Sequence, residues 1–221
     1  MRAVLVLIVS LAFLAGCGGD DEAANDTTDS VTTSTSECAS VEAPAAREPE
    51  PAEAPAEPLD AAKTYTLTFD TSCGSFTVTL AQELAPKTAA SLVALANAGY
   101  FDDTIFHRVV PAFVIQGGDP TQSGGGGPGY STVDPPPAEA AAYTKGVVAM
   151  AKSGVEAPGT GGSQFFVVTS ETAADVLTPD YSIVGEVTEG MDMVERIDAL
   201  GVGDGPPSQP VVVNTVTAAS S

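Results

Sequence analysis

From Thr64 onward apolar residues fall at every second position. Tyr65, Leu67 and Phe69 alternate with threonines, and after a Cys73–Gly74 turn Phe76, Val78 and Leu80 do the same. A period of two places alternate side chains on one face of a pleated strand, so the two runs predict a hairpin with one face buried. In "PKTAASLVALANAGYF" the period lengthens: Pro86 suits a first helical turn, Leu92, Val93, Leu95 and Ala96 form an apolar stripe, and Gly99 suits a left-handed terminator. "FHRVVPAFVIQGGDP" (106–120) reads as two buried strands joined at Pro111, and "VVAMA", "SQFFVVT", "YSIVGEV" and "PVVVNTVTA" as further strands. "GMDMVERIDAL" is a second helix, and the Pro- and Ala-rich "DPPPAEAAAY" has no firm strand pattern. Many short strands with two scattered helices leave no room for βαβ crossovers and predict a closed antiparallel barrel capped by helices, mainly β in class.

The N-terminal part is patterned differently. Arg2 precedes an apolar run from Ala3 to Ala15, too short to span a bilayer, which reads as an export signal over residues 1–16. Its end, "LAGC", resembles the bacterial lipoprotein cleavage box, which implies lipidation at Cys17 and anchoring to the outer face of the bacterial cytoplasmic membrane. Residues 17–62 are acidic and rich in Pro, Ala, Ser and Thr, with few aliphatic side chains to bury, and predict a disordered tether ahead of a folded domain over 63–221. With Cys17 lipidated, Cys38 and Cys73 remain as an even pair in an oxidising setting. They would form a disulfide pinning the tether to the domain, or stay as two free thiols.

The formal net charge of −21 over 221 residues argues against nucleic acid and anionic membrane surfaces as partners, leaving the lipid as the expected membrane contact. One histidine, His107, and no clustered cysteines provide no metal-ligand set. A hydrolytic triad of His107, Ser163 and Asp119 lacks a nucleophile elbow. The loop "SGGGGPGYS" lacks the Lys-Ser/Thr ending of a phosphate cradle. Arg108 is harder to dismiss. It stands in an apolar strand and cannot shed its charge, so its side chain should emerge where something needs it.

"FHRVVPAFVIQGGDP" and "GSQFFV" together resemble the two signature segments of cyclophilins, the peptidyl-prolyl cis-trans isomerases, and the resemblance continues through "VVAMA" and "IVGEVTEGMDMVE". It implies an eight-stranded closed antiparallel barrel capped by two α-helices. It implies Arg108, Phe113 and Gln116 as catalytic residues, with Val114, Ala151, Gln164, Phe166, Leu177 and Tyr181 contacting substrate. Tyr181 stands where many members carry histidine, and Lys152 where many carry asparagine. The reaction implied is rotation about X-Pro bonds of unfolded or exported polypeptides by a monomer, without cofactor or metal. A proline-binding holdase using the same groove is the alternative.

Overall fold

In a computed structural model of the chain, the residues described are 37–49 and 51–221. The predicted signal peptide, Cys17 and the start of the predicted tether lie outside them.

The alternating runs form the hairpin β1 (Tyr65–Thr71) and β2 (Gly74–Leu80), in register Leu67 to Val78 and Phe69 to Phe76. The last pair stacks its rings with centroids 4.8 Å apart. Gly74 has φ +110°, which calls for glycine in the turn, and a Cβ there would also displace the Met193 side chain.

Helix α1 (Pro86–Asn97) starts at the predicted proline, and Gly99 turns left-handed just beyond its end. Its buried face is Ala89, Ala90, Leu92, Leu95 and Ala96, while Val93 is only half-buried. Ala85 supplies no side-chain cap. The cap comes from Asp134, 2% exposed, whose carboxylate accepts the Thr88 N–H (2.8 Å), the Thr88 hydroxyl (2.7 Å) and the Lys87 N–H (3.4 Å).

The following strands are β3 (Thr104–Ile105), β4 (Arg108–Val110), β5 (Val114–Gly117), β6 (Thr132–Val133), β7 (Val147–Met150), β8 (Thr160–Gly161), β9 (Phe165–Val168), β10 (Ile183–Glu189) and β11 (Val212–Ser220), with helix α2 (Met191–Asp198) before the last. Nine of them form one antiparallel sheet in the order β3-β11-β1-β2-β10-β7-β9-β5-β4, while β6 and β8 pair as a separate ribbon. The class is mainly β with two helices, but the sheet is a curled, open half-barrel and not the closed eight-stranded barrel expected. Strand pairing does not join the edges. The Phe106 N–H is taken by the Val211 carbonyl (3.1 Å) and the Val109 N–H by the Gly205 carbonyl (2.8 Å). The chain between α2 and β11 thus occupies the β4 edge where a closing strand would pair.

Alternation along β4, β5, β7 and β9 divides the apolar side chains between two cores. Val109, Ile115, Val148 and Val167 point into the main core with Leu67, Phe69, Phe76 and the α1 face. Val114, Ala149, Phe166 and Val168 point the other way, onto a smaller core around the fully buried Tyr143.

Residues 37–49 and 51–62 are tied to the domain where a free tether was expected. Cys38 is bonded to Cys73, and Ala39 donates to the Ser72 carbonyl (2.7 Å). The Arg47 guanidinium donates to the carbonyls of Tyr100 (2.6 Å) and Asp102 (2.9 Å), just past α1. The Arg47 and Ala52 N–H groups reach the Pro120 and Pro128 carbonyls, and Gln122 returns a bond to the Pro44 carbonyl. A segment with few side chains to bury is held through its backbone, one arginine and a covalent bridge, none of which a hydrophobic pattern reveals.

Candidate active site

Strand register assembles the site. Arg108 pairs with Gln116, Gln116 with Phe166, and Phe166 with Ala149, forming one rung across four strands. Arg108, Gln116 and Phe166 therefore leave the sheet on one face, opposite the main core. Rigid strands built from Val109, Ile115 and Val167 carry polar side chains to the surface.

Phe113 follows the tight β4–β5 turn, where Ala112 adopts φ +54°. The Asp198 carboxylate at the end of α2 accepts the Ala112 N–H at 3.0 Å and the Thr169 hydroxyl at 2.7 Å, fixing that turn. Val114 and Phe166, 2% and 4% exposed, form a floor. Tyr181 meets the Phe166 ring edge-on at 5.3 Å. The Tyr181 backbone is held by the Tyr143 hydroxyl, which donates to its carbonyl (2.8 Å) and accepts its N–H (3.0 Å). Burial pushes the Tyr143 phenol up to about 12, so it stays protonated and can do both.

These residues enclose a cavity of about 400 Å³ lined by Arg108, Phe113, Val114, Gln116, Ala151 and Phe166, with Leu177, Tyr181 and Lys152 on its far wall. Eight of the nine expected site residues line it. The ninth, Gln164, lines an adjoining cavity of about 620 Å³ walled by the Gly-rich loop, and the two cavities share Gln116, Ala151 and Lys152. The Lys152 ammonium lies 5.6 Å over the Tyr181 ring, spanning the junction.

A chain of amides links the two. Arg108 Nη1 donates to Gln116 Oε1 (3.2 Å), Gln116 Nε2 to Gln164 Oε1 (3.1 Å), and Gln164 Nε2 to the Gly126 (2.9 Å) and Gly124 (3.0 Å) carbonyls. The loop is in turn tied by Asp119, whose carboxylate accepts the N–H groups of Thr121, Gly124 and Gly126 and the Thr121 hydroxyl. Burial would raise the Asp119 pKa, but these bonds outweigh it and hold the carboxyl below the usual range.

The acid beside the arginine was not among the residues expected from the sequence. Asp204 accepts Arg108 Nε–H at 2.5 Å and Nη2–H at 3.1 Å, and this bond holds its carboxyl below the usual range. It sits in a Gly- and Pro-rich connection with no periodicity to mark it. His107 contributes no hydrogen bond; neither ring nitrogen has a partner among the described residues. Burial lowers its pKa against the opposing charge of Asp119, so the ring is held neutral. The Ser163 hydroxyl donates to the Gly118 carbonyl at 2.7 Å and is fully buried, a structural role and not that of a nucleophile.

The geometry defines a pocket with an apolar floor, a guanidinium in its wall and an amide relay behind it. Residues 66–218 match the family model described as "Cyclophilin type peptidyl-prolyl cis-trans isomerase/CLD", and the chain belongs to that family. A probable peptidyl-prolyl cis-trans isomerase A of Mycobacterium leprae is 38% identical over 171 residues, covering 69% of this chain and 91% of that one. Peptidyl-prolyl cis-trans isomerase-like 1 of Emericella nidulans is 41% identical over 134 residues, 59% of this chain and 80% of its own. Among solved structures, a cyclophilin-type isomerase from Cryptosporidium parvum superposes with a TM-score of 0.63 at 27% identity, covering 72% of this chain and 99% of that one. The same protein in the presence of the dipeptide Ala-Pro has a TM-score of 0.62 at 27% identity, covering 71% and 99%.

Proposed function

We propose that the groove accelerates cis-trans rotation of X-Pro bonds by non-covalent stabilisation of the twisted amide, with Arg108 as the key electrostatic residue. Amide resonance sets a barrier of about 18–20 kcal/mol, so uncatalysed exchange takes roughly tens to hundreds of seconds. At the twisted geometry resonance is lost and the prolyl nitrogen becomes pyramidal and basic. A donor that meets that nitrogen and the prolyl carbonyl stabilises this state over either planar one, as catalysis by differential binding requires. The observation that carries the reading is the pocket itself: an apolar floor of Val114 and Phe166 able to seat a proline ring, in one cavity with Arg108. Phe113, Leu177 and Tyr181 hold the ring and exclude water, while Gln116 orients both arginine and peptide backbone. Ala151 and Gln164 face the residues before proline along the wider cavity.

Substrates are proline-containing unfolded or exported polypeptides, consistent with the Ala-Pro dipeptide present with the Cryptosporidium structure. The apolar run Ala3–Ala15 and the "LAGC" box support an exported protein anchored through lipid at Cys17 to the outer face of the bacterial cytoplasmic membrane.

The test is NMR exchange spectroscopy on an Ala-Pro peptide with substoichiometric protein. Exchange should accelerate from the uncatalysed timescale to one faster than seconds. Peptide binding without acceleration would replace the enzyme reading with that of a proline-binding holdase.

A further inference from the structure

The backbone presents Asp204 to Arg108 as a built feature of this groove. The Val109 N–H pairs with the Gly205 carbonyl as an isolated antiparallel bridge, so register sets Asp204 across from Val110 and leaves Arg108 its diagonal neighbour on the same face, within reach of a long side chain. The connection that delivers Asp204 is itself fixed at both ends. Ser208 N–H closes onto the Leu200 carbonyl at 2.8 Å, and Gly201 packs so close to Pro111 and Val109 that a Cβ would lie 2.7 Å and 3.0 Å from their side chains. Asp204 is flanked by Gly203 and Gly205, at either of which a Cβ would stand in open space.

A guanidinium has five N–H groups in a fixed plane. Nε–H and one Nη2–H are taken by Asp204, and one Nη1–H by Gln116. One proton on each terminal nitrogen remains, and the plane is gripped on two sides. Arginine otherwise loses much rotamer freedom when it must hold one orientation. A donor already oriented loses less on reaching the transition state.

We propose that Asp204 is a positioning residue that orients the Arg108 guanidinium so that its two remaining N–H groups point at the twisted prolyl amide. This rests on the isomerase reading of the groove. The carboxylate also offsets part of the arginine charge, and orientation and charge offset predict opposite signs when Asp204 is removed.

The experiment compares wild type, Asp204→Ala and Asp204→Asn on an Ala-Pro peptide, with kcat and KM separated. Orientation predicts that Asp204→Ala lowers kcat about tenfold with KM changed less than about twofold. Asp204→Asn keeps an oxygen for Nε–H and should recover to within about threefold of wild type. Both variants matching or exceeding the wild-type rate would overturn the proposal. The Asp204 side chain is 66% exposed and its loss empties no core, so melting temperatures should agree to within about 2 °C. An independent readout is solvent exchange of the Arg108 Nε proton by NMR: slow in wild type and at least about tenfold faster in Asp204→Ala. A wild-type Nε proton exchanging as fast as that of a free arginine peptide would overturn the assignment of Asp204. Wild type that fails to isomerise, with that proton protected, would instead overturn the isomerase reading.

Discussion

Opening the Cys38–Cys73 bridge tests whether residues 37–62 belong to the folded unit. The two cysteines are 35 residues apart in sequence, and Cys73 is 4% exposed, packed in the main core beside Leu67 and Phe76. Cys38→Ser is the cleaner perturbation, since it leaves the buried thiol in place. In the chain-entropy description, a cross-link closing a loop of this length removes from the unfolded ensemble freedom equivalent to about 4 kcal/mol at 25 °C. For a domain of this size roughly 2–4 °C of melting temperature accompanies each kcal/mol, so Cys38→Ser should melt about 8–16 °C below wild type in non-reducing scanning calorimetry. Dithiothreitol should bring wild type close to the variant. Hydrogen exchange should also speed up at the Ala39, Arg47 and Ala52 amides, which bond to Ser72, Pro120 and Pro128. Released amides with melting unchanged to within about 3 °C would mean that the bridge adds little to the stability of the folded unit. The segment would then detach without cooperative loss from the core.

Three further outcomes follow from buried or strained residues. Asp134→Ala leaves the Thr88 and Lys87 donors at the start of α1 without their acceptor and should destabilise by about 2 kcal/mol, measured by urea unfolding. Ala112, held at φ +54°, should be improved by Ala112→Gly, which raises stability by about 0.5–1 kcal/mol in the same assay. His107 titrates near 6.5 when unfolded, and burial lowers its pKa in the folded state, so the unfolded chain binds the extra proton first on acidification. Stability should therefore be full above about pH 6.5 and fall as pH drops through the folded value. His107→Leu should flatten that slope in denaturant titrations at successive pH values, and an unchanged slope would count against the buried neutral imidazole.

Much of the site was legible because it lies on strands. The alternation that marked Val109, Ile115 and Val167 as core also placed Arg108, Gln116 and Phe166 on the opposite face, and direct pairing across β4, β5 and β9 brought them together. The carboxylates that complete the arrangement were not legible. Asp198, Asp204 and Asp134 each act on a partner distant in sequence, through contacts that neither hydrophobic period nor local spacing encodes. Tyr143 was hidden for a related reason: its Pro- and Ala-rich segment has no strand pattern, yet the ring is fully buried beneath Tyr181. The expectation of a closed barrel failed at the edge strand β4, where a loop carbonyl takes the N–H that a neighbouring strand would have used.

An Arg108 that acts on the twisted amide, and not on the bound planar peptide, should speed rotation without tightening binding. The direct test pairs exchange rates with binding affinity for one Ala-Pro peptide in wild type and Arg108→Ala. Removing a donor that acts on the transition state should lower kcat/KM by roughly 10²–10³-fold, while peptide affinity changes less than about threefold. A rate that falls only in step with lost affinity, or does not fall at all, would mean that Arg108 serves binding and not rotation.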